Sequence, residues 1–179
     1  MTHRLTIELN RASKLWPADL KPLARKVLAA ARTAIPEKLA GDAEISVLLG
    51  ADSDQKALNL AFRGRAKSTN VLSFPALVPG ASIEGFLGDI SLAYQTVSRE
   101  ATWAGIPLRH HFAHLLAHGF LHILGYDHER DEEAGRMEAL ETAILARLSI
   151  RNPYAPAARR KRGAGVLRSR RKGRRTGKK

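Results

Sequence analysis

The chain has 179 residues, 44% of them apolar and 26% charged, a balance typical of a globular domain rather than a disordered chain. It contains no cysteine, which excludes disulfides, thiolate zinc sites and cysteine nucleophiles. The N-terminus has no apolar signal segment, and no run of about 18 apolar residues follows, so we expect a soluble cytoplasmic protein.

Strand and helix patterns alternate in the first half of the chain. Apolar and polar residues alternate over residues 5–9, which predicts a first strand, and the apolar run at residues 44–49 predicts a second. Between them, residues 17–35 have apolar side chains at helical spacing. A second helix is predicted at residues 53–62, where Ser and Asp at the start can cap it.

The second half is predicted to contain two strands followed by three helices. Strands are expected at residues 71–74 and 87–92, with a loop at 77–85 between them. The helices are expected at residues 93–104, 107–124 and 130–148. This order predicts an α+β fold in a single domain, with a mixed four-stranded β-sheet covered by helices. We expect Trp16, Trp103 and the leucines to form the core.

Positive charge is concentrated at the C-terminal end of the chain. The formal net charge is +13, and 12 of the 30 Lys and Arg residues lie in residues 159–179, which contain no Asp or Glu. Such a segment repels itself, so we predict a folded domain at residues 1–158 and a disordered basic tail at 159–179. We expect the tail to bind RNA phosphates, with a merely solubilising role as the alternative. It has few apolar anchors, and no membrane partner is expected.

Six of the seven histidines lie between positions 110 and 128. His118 and His122 are four residues apart and share one face of the predicted long helix. Gly125 permits a turn that can bring His128 back toward them. Three imidazoles with one open position are the ligand set of a catalytic zinc site. The pattern therefore predicts one Zn²⁺ per chain, on the long helix and the following turn.

The other histidines and another enzyme class fit this pattern less well. His114 lies about 12 Å of helix rise from His122, so the two cannot bind one ion, and we expect His114 to pack or hydrogen-bond beside the site. His110 and His111 are predicted to lie on the helix surface.

Metzincin-type zinc proteases share the histidine spacing, but they need a Glu directly after the first histidine, where this chain has Gly119.

Several stretches resemble one known family. The segment HGFLHILGYDH, from His118 to His128, is similar to the signature HGxLHLxGYDH of the YbeY family of bacterial single-metal endoribonucleases, also called rRNA maturation factors. The stretches LN at 58–59, FRG at 62–64, TNVLSFP at 69–75 and LGDI at 87–90 also resemble this family. The resemblance spans about residues 5–148 in element order.

The resemblance implies zinc on the three histidines, a functional arginine at Arg63, and cytoplasmic work on ribosomal RNA, with the small ribosomal subunit as the expected partner. A guanidinium pairs with phosphate oxygens, so we predict that Arg63 stabilises charge at phosphorus while an internal RNA phosphodiester is cleaved. The nucleophile, water or the ribose 2′-hydroxyl, stays open. The alternative is a non-catalytic ribosome-assembly factor that binds RNA and has a structural metal.

One loop departs from the family pattern. The usual Lys-Asp-x-Pro is replaced by residues 65–68, Arg-Ala-Lys-Ser, which contain neither the acidic residue nor the proline. We expect a less rigid loop from this change.

Overall fold

The computed structural model describes residues 3–78, 80–127 and 130–155, and their order of strands and helices agrees with the prediction. The strands are β1 Leu5–Asn10, β2 Leu39–Gly50, β3 Val71–Pro75 and β4 Ile83–Ala93. The helices are α1 Lys21–Ala34, α2 Asp52–Arg63, α3 Tyr94–Ala104, α4 Leu108–Ile123 and α5 Asp131–Ala146. None of the helices in the described part of the chain has the length and apolar character needed to span a bilayer.

The four strands form one mixed sheet in the order β1-β2-β4-β3. β1, β2 and β4 are parallel, whereas β3 pairs antiparallel with β4 and forms one edge. The predicted fold, an α+β domain with a mixed four-stranded sheet covered by helices, is confirmed.

Two strands begin earlier than the sequence pattern predicts. β2 begins at Leu39 rather than at residue 44. β4 begins at Ile83, inside the loop predicted at residues 77–85. Gly85 and Gly88 have φ angles of 69° and 143°, and the pairing of β2 with β4 shifts register in this region. The strand therefore begins irregularly, because glycine adopts positive φ without a Cβ clash.

The two faces of the sheet are covered by different helices. Gly119 of α4 lies against Ile90, and a Cβ at Gly119 would be 3.1 Å from the Ile90 side chain and from Ser73 Oγ. The Ser73 hydroxyl donates to the Gly119 carbonyl oxygen at 3.2 Å. On the other face, Gln55 of α2 donates through Nε2 to the Ser91 carbonyl oxygen at 3.1 Å. Successive residues of β4 therefore hold α4 and α2 on opposite sides of the sheet.

Most of the core lies between the sheet and helices α1, α4 and α5. Trp16 is 1% exposed, as predicted, and its indole Nε1 donates to the Gly50 carbonyl oxygen at 2.9 Å. The buried indole therefore satisfies its polar atom while its ring contributes apolar area to the core.

Among the described residues, the core prediction is wrong for three side chains. Trp103 is 92% exposed, because the buried side of α3 carries Val97 and Ala101. Residue 103 lies about 200° around the helix from Ala101 at 3.6 residues per turn, so its side chain points to solvent. Leu15 and Leu60 are also exposed, by 55% and 52%.

Candidate functional site

A cavity of about 650 Å³ lies at the edge strand β3. Its lining comes from the end of α2 with the following loop, from β3, and from α4 with the turn after it. It brings Arg63, Arg65, His118, His122 and Asp127 to one opening. Because α2 and α4 cover opposite faces of the sheet, the cavity extends around the edge of β3.

His118 and His122 are brought together across one turn of α4. Their Nε2 atoms are 3.1 Å apart. Two nitrogens that bind one tetrahedral zinc at about 2.0–2.1 Å are separated by roughly 3.4 Å. The distance in this structure is close to that value, so the two rings fit two positions of one metal site.

The third predicted ligand, His128, lies outside the described residues. Helix α4 is followed by a turn at Gly125, whose φ of 89° is in the region that favours glycine. The Tyr126 amide closes this turn by donating to the Leu121 carbonyl oxygen at 3.0 Å. Asp127 then lines the cavity, so the chain returns to the site one position before His128. Among the described residues, no group of three His, Cys, Asp or Glu side chains is arranged to hold a metal ion.

His114 and His111 each place Nε2 against a glutamate. His114 Nε2 is 2.7 Å from Glu141 Oε2, which agrees with the expectation that it hydrogen-bonds beside the site. The prediction that His111 lies on the surface is wrong: its side chain is 13% exposed, and its Nε2 is 2.8 Å from Glu100 Oε2. The cause is the packing of α3 against α4, which covers this part of the helix.

Glu141 is the residue of this site that sequence reasoning missed. Its side chain is 1% exposed and reaches from α5 to α4, where Oε1 is 2.8 Å from His118 Nδ1. Oε2 accepts from His114 and from the Tyr154 hydroxyl. The available signal was its position four residues after Met137, on the side of α5 that is otherwise apolar.

The electrostatics of Glu141 follow from these contacts. Burial alone raises the pKa of this carboxyl, but the hydrogen bonds from His114, His118 and Tyr154 outweigh burial and lower the pKa to about 2. Burial and the contact with Glu141 raise the pKa of Tyr154 above its usual range. The Tyr154 hydroxyl therefore keeps its proton and Glu141 is an ionised acceptor.

The arginines of the cavity come from the end of α2 and the loop after it. Arg63 is the last residue of α2, and Gly64 ends the helix with φ 66° in the left-handed region. The side chains of Arg63 and Arg65 are exposed and line the cavity. From residue 63 to residue 75, the stretch that lines this side of the cavity, the sequence contains three Lys and Arg residues and no acidic one, so this side suits an anion.

The loop after α2 is held by Asn59. This side chain is 3% exposed, and its Nδ2 donates to the Lys67 carbonyl oxygen at 2.8 Å. At the end of the loop, Asn70 donates to the Glu100 carboxylate and accepts from the Val71 amide at 2.7 Å. Side-chain contacts thus hold this loop at Lys67 and at Asn70, although residues 65–68 lack the family's acidic residue and proline.

Comparison with known proteins identifies the family. Residues 7–149 match the family described as Endoribonuclease YbeY. The chain belongs to the YbeY family. It is 49% identical over 162 residues to Endoribonuclease YbeY of Rhodopseudomonas palustris, covering 87% of this chain and 85% of that protein. It is 47% identical over 162 residues to Endoribonuclease YbeY of a Bradyrhizobium species, covering 86% and 95%. The resemblance inferred from the motifs is confirmed.

The fold is also similar to a solved structure, the solution structure of TM1509 from Thermotoga maritima. The TM-score is 0.50 and the sequence identity 24%, over 87% of this chain and 100% of that one. This likeness supports the α+β architecture.

Membership of the YbeY family decides against the metzincin-type protease that shares the histidine spacing. The structure adds a physical reason, because Gly119 packs against Ile90 and Ser73. A side chain at this position would crowd the contact between α4 and the sheet, because its Cβ would lie 3.1 Å from Ile90 and from Ser73 Oγ, and these neighbours would have to shift.

Proposed function

We propose that this chain is a zinc-dependent endoribonuclease that acts on ribosomal RNA in its maturation and in ribosome quality control. In this proposal His118, His122 and His128 hold one zinc ion. Its YbeY relatives carry the name endoribonuclease, which makes RNA the substrate class. The proposal is carried by the 3.1 Å separation of the His118 and His122 Nε2 atoms, in a cavity that Arg63 also lines.

The donor set suits zinc. Imidazole nitrogens are common zinc ligands, and three of them leave one coordination position for water or substrate. A zinc ion at this position supplies polarisation of a phosphoryl oxygen or a bound water acidified to a pKa of about 7. The chain has no cysteine, so the thiolate sets of closed structural zinc sites are absent from its sequence.

Arg63 is proposed to bind the scissile phosphate. A guanidinium is planar, stays charged at any relevant pH and can donate two parallel hydrogen bonds to phosphate oxygens. Placed at the cavity by the end of α2, it would stabilise the negative charge that develops on these oxygens during cleavage.

The basic tail is proposed to extend this phosphate-binding surface. Residues 159–179 lie outside the described residues, and their role follows from charge alone. Cations release counterions when they bind a polyanion, so the tail would add affinity without sequence preference. In this proposal residues 1–158 form the hydrolase domain, and the protein works in the cytoplasm on the small ribosomal subunit.

The test is metal-dependent cleavage of a purified ribosomal RNA fragment under single-turnover conditions. We expect cleavage by the wild type with zinc, and loss of cleavage in the chelated protein and in His118→Ala. Equal cleavage by the wild type and His118→Ala would overturn the proposal and favour a non-catalytic assembly factor.

A further inference from the structure

We propose that Glu141 is a positioning residue of the metal site, and that it holds the His118 ring with Nε2 turned toward His122. This inference rests on the proposed function, because the ring is positioned for the metal that His118 would bind. Glu141 lies on α5, 23 residues along the chain from His118. Glu141 therefore orients the predicted ligand His118 from a different helix.

The two oxygens of Glu141 have different partners. Oε1 is 2.8 Å from His118 Nδ1. Oε2 is 2.7 Å from His114 Nε2 and accepts from the Tyr154 hydroxyl. One oxygen is thus directed at the predicted metal ligand, while the other is bound by two groups that are not predicted ligands.

The contact at Oε1 defines the tautomer of His118. A carboxylate accepts hydrogen bonds and donates none, so the hydrogen of this contact belongs to His118 Nδ1. The Nε2 lone pair is then available, and it faces His122 Nε2 at 3.1 Å. A carboxylate behind a ligating histidine fixes the orientation of the ring and increases its basicity as a ligand.

The burial of Glu141 indicates more than a packing role. The neighbouring buried residues of α5 are the apolar Met137, Ile144 and Leu145, which fill the same interface without a charge. An ionised carboxylate that is 1% exposed costs desolvation energy, which hydrogen bonds from His114, His118 and Tyr154 offset. An apolar side chain would pack here without that cost, but it would remove the oxygen that His118 Nδ1 contacts in this structure.

The test compares changes on the two sides of the carboxylate in the full-length protein. Glu141→Leu removes both acceptors at similar volume, and Glu141→Gln keeps one carbonyl oxygen. Tyr154→Phe removes a donor at Oε2 and leaves the Oε1 contact in place. We expect zinc affinity, measured by chelator competition, to fall 10- to 100-fold in Glu141→Leu and less in Glu141→Gln. Tyr154→Phe should stay within threefold of the wild type.

A second measurement is independent of zinc and of catalysis. In the metal-free wild type, ¹⁵N NMR of the His118 ring should show hydrogen on Nδ1, and Glu141→Leu should lose this preference. If Glu141→Leu does not fold, Glu141→Gln is compared with Tyr154→Phe by both measurements. Unchanged zinc affinity in the folded Glu141 variants, or hydrogen on Nε2 of wild-type His118, would overturn the inference. A wild type that binds no zinc would instead overturn the proposed function, and the NMR result would still decide whether Glu141 orients His118.

Discussion

The cavity has two sides that are built in different ways. The histidine side consists of His118 and His122 on α4, supported by the buried Glu141 of α5. The arginine side consists of Arg63 and Arg65, which are exposed at the end of α2 and in the loop after it. The sheet edge at β3 separates the helices that carry them.

This difference matches two chemical tasks. A metal ion needs donor atoms held within a few tenths of an ångström, which a helix face supported by a second helix can provide. A flexible RNA strand is bound better by long charged side chains, because such side chains can adjust to the position of a phosphate. Changes on the histidine side should therefore abolish zinc binding, whereas changes on the arginine side should reduce RNA cleavage or RNA affinity.

The largest effect is expected from His122→Ala, which removes a proposed zinc ligand from the histidine side. We expect near-complete loss of the single zinc ion, measured by metal analysis of the purified protein. His114→Ala is the matched control on the same helix, and it should retain zinc because His114 is not a proposed ligand and its Nε2 contacts Glu141. Zinc loss in His114→Ala with retention in His122→Ala would show that the proposed ligand set is wrong.

A smaller but still large effect is expected from Arg63→Ala on the arginine side. The variant should keep the fold and the zinc but lose about 10²–10³ in cleavage rate, the typical cost of removing one donor that stabilises charge in the transition state. Arg63→Lys should recover only part of the rate, because an ammonium lacks the planar fork. The rate is measured in single turnover at saturating enzyme, so that weaker binding does not imitate slower chemistry.

Lys56→Ala is the control for charge alone, because Lys56 lies on the same helix outside the cavity lining. Its cleavage rate should equal that of the wild type. Full-rate cleavage by Arg63→Ala would remove this side chain from the mechanism.

An intermediate effect is expected when the Lys and Arg residues of 159–179 are replaced by Gln. RNA affinity should fall, and the slope of log K against log salt should flatten by about 0.7 for each single-strand phosphate that the tail no longer binds. The zinc content and the thermal unfolding of the domain should not change. An unchanged salt slope would mean that the tail only solubilises the protein.

The smallest effect is expected from Asn59→Ala, which releases the loop on the arginine side. Removing the hydrogen bond to the Lys67 carbonyl oxygen should lower the free energy of unfolding by about 1 kcal/mol, the usual net value of one hydrogen bond. RNA affinity should decrease by a few-fold while zinc affinity is retained. The neighbouring Leu60→Ala, at an exposed position, should leave RNA affinity unchanged. Equal RNA affinity in all three proteins would show that the loop does not need this hydrogen bond.

The sequence was sufficient for features that depend on local periodicity. The order of strands and helices, the turn at Gly125 and the shared helix face of His118 and His122 each follow from spacing within one segment. The motif matches added the family, which local patterns alone do not supply.

The features that were missed depend on packing between distant segments. Glu141 becomes part of the site only because α5 packs on α4, and His111 is covered only because α3 packs on α4. Trp103 is an apolar residue on the solvent side of its helix, so its exposure could not be inferred from residue type. The irregular start of β4 depends on its pairing with β2 through glycines that also favour loops.

Tyr154 has a consequence for the biosynthesis of this protein. It follows the last helix and donates to Glu141, so a hydrogen bond beside the site comes from the C-terminal end of the described residues. A chain is made from its N-terminus, and His114, His118 and Glu141 therefore leave the ribosome before Tyr154. A nascent chain that stops short of this tyrosine contains every proposed ligand, but its carboxylate lacks one of its three donors. The hydrogen-bond set of this carboxylate is therefore complete only after the residues that follow α5 have been translated.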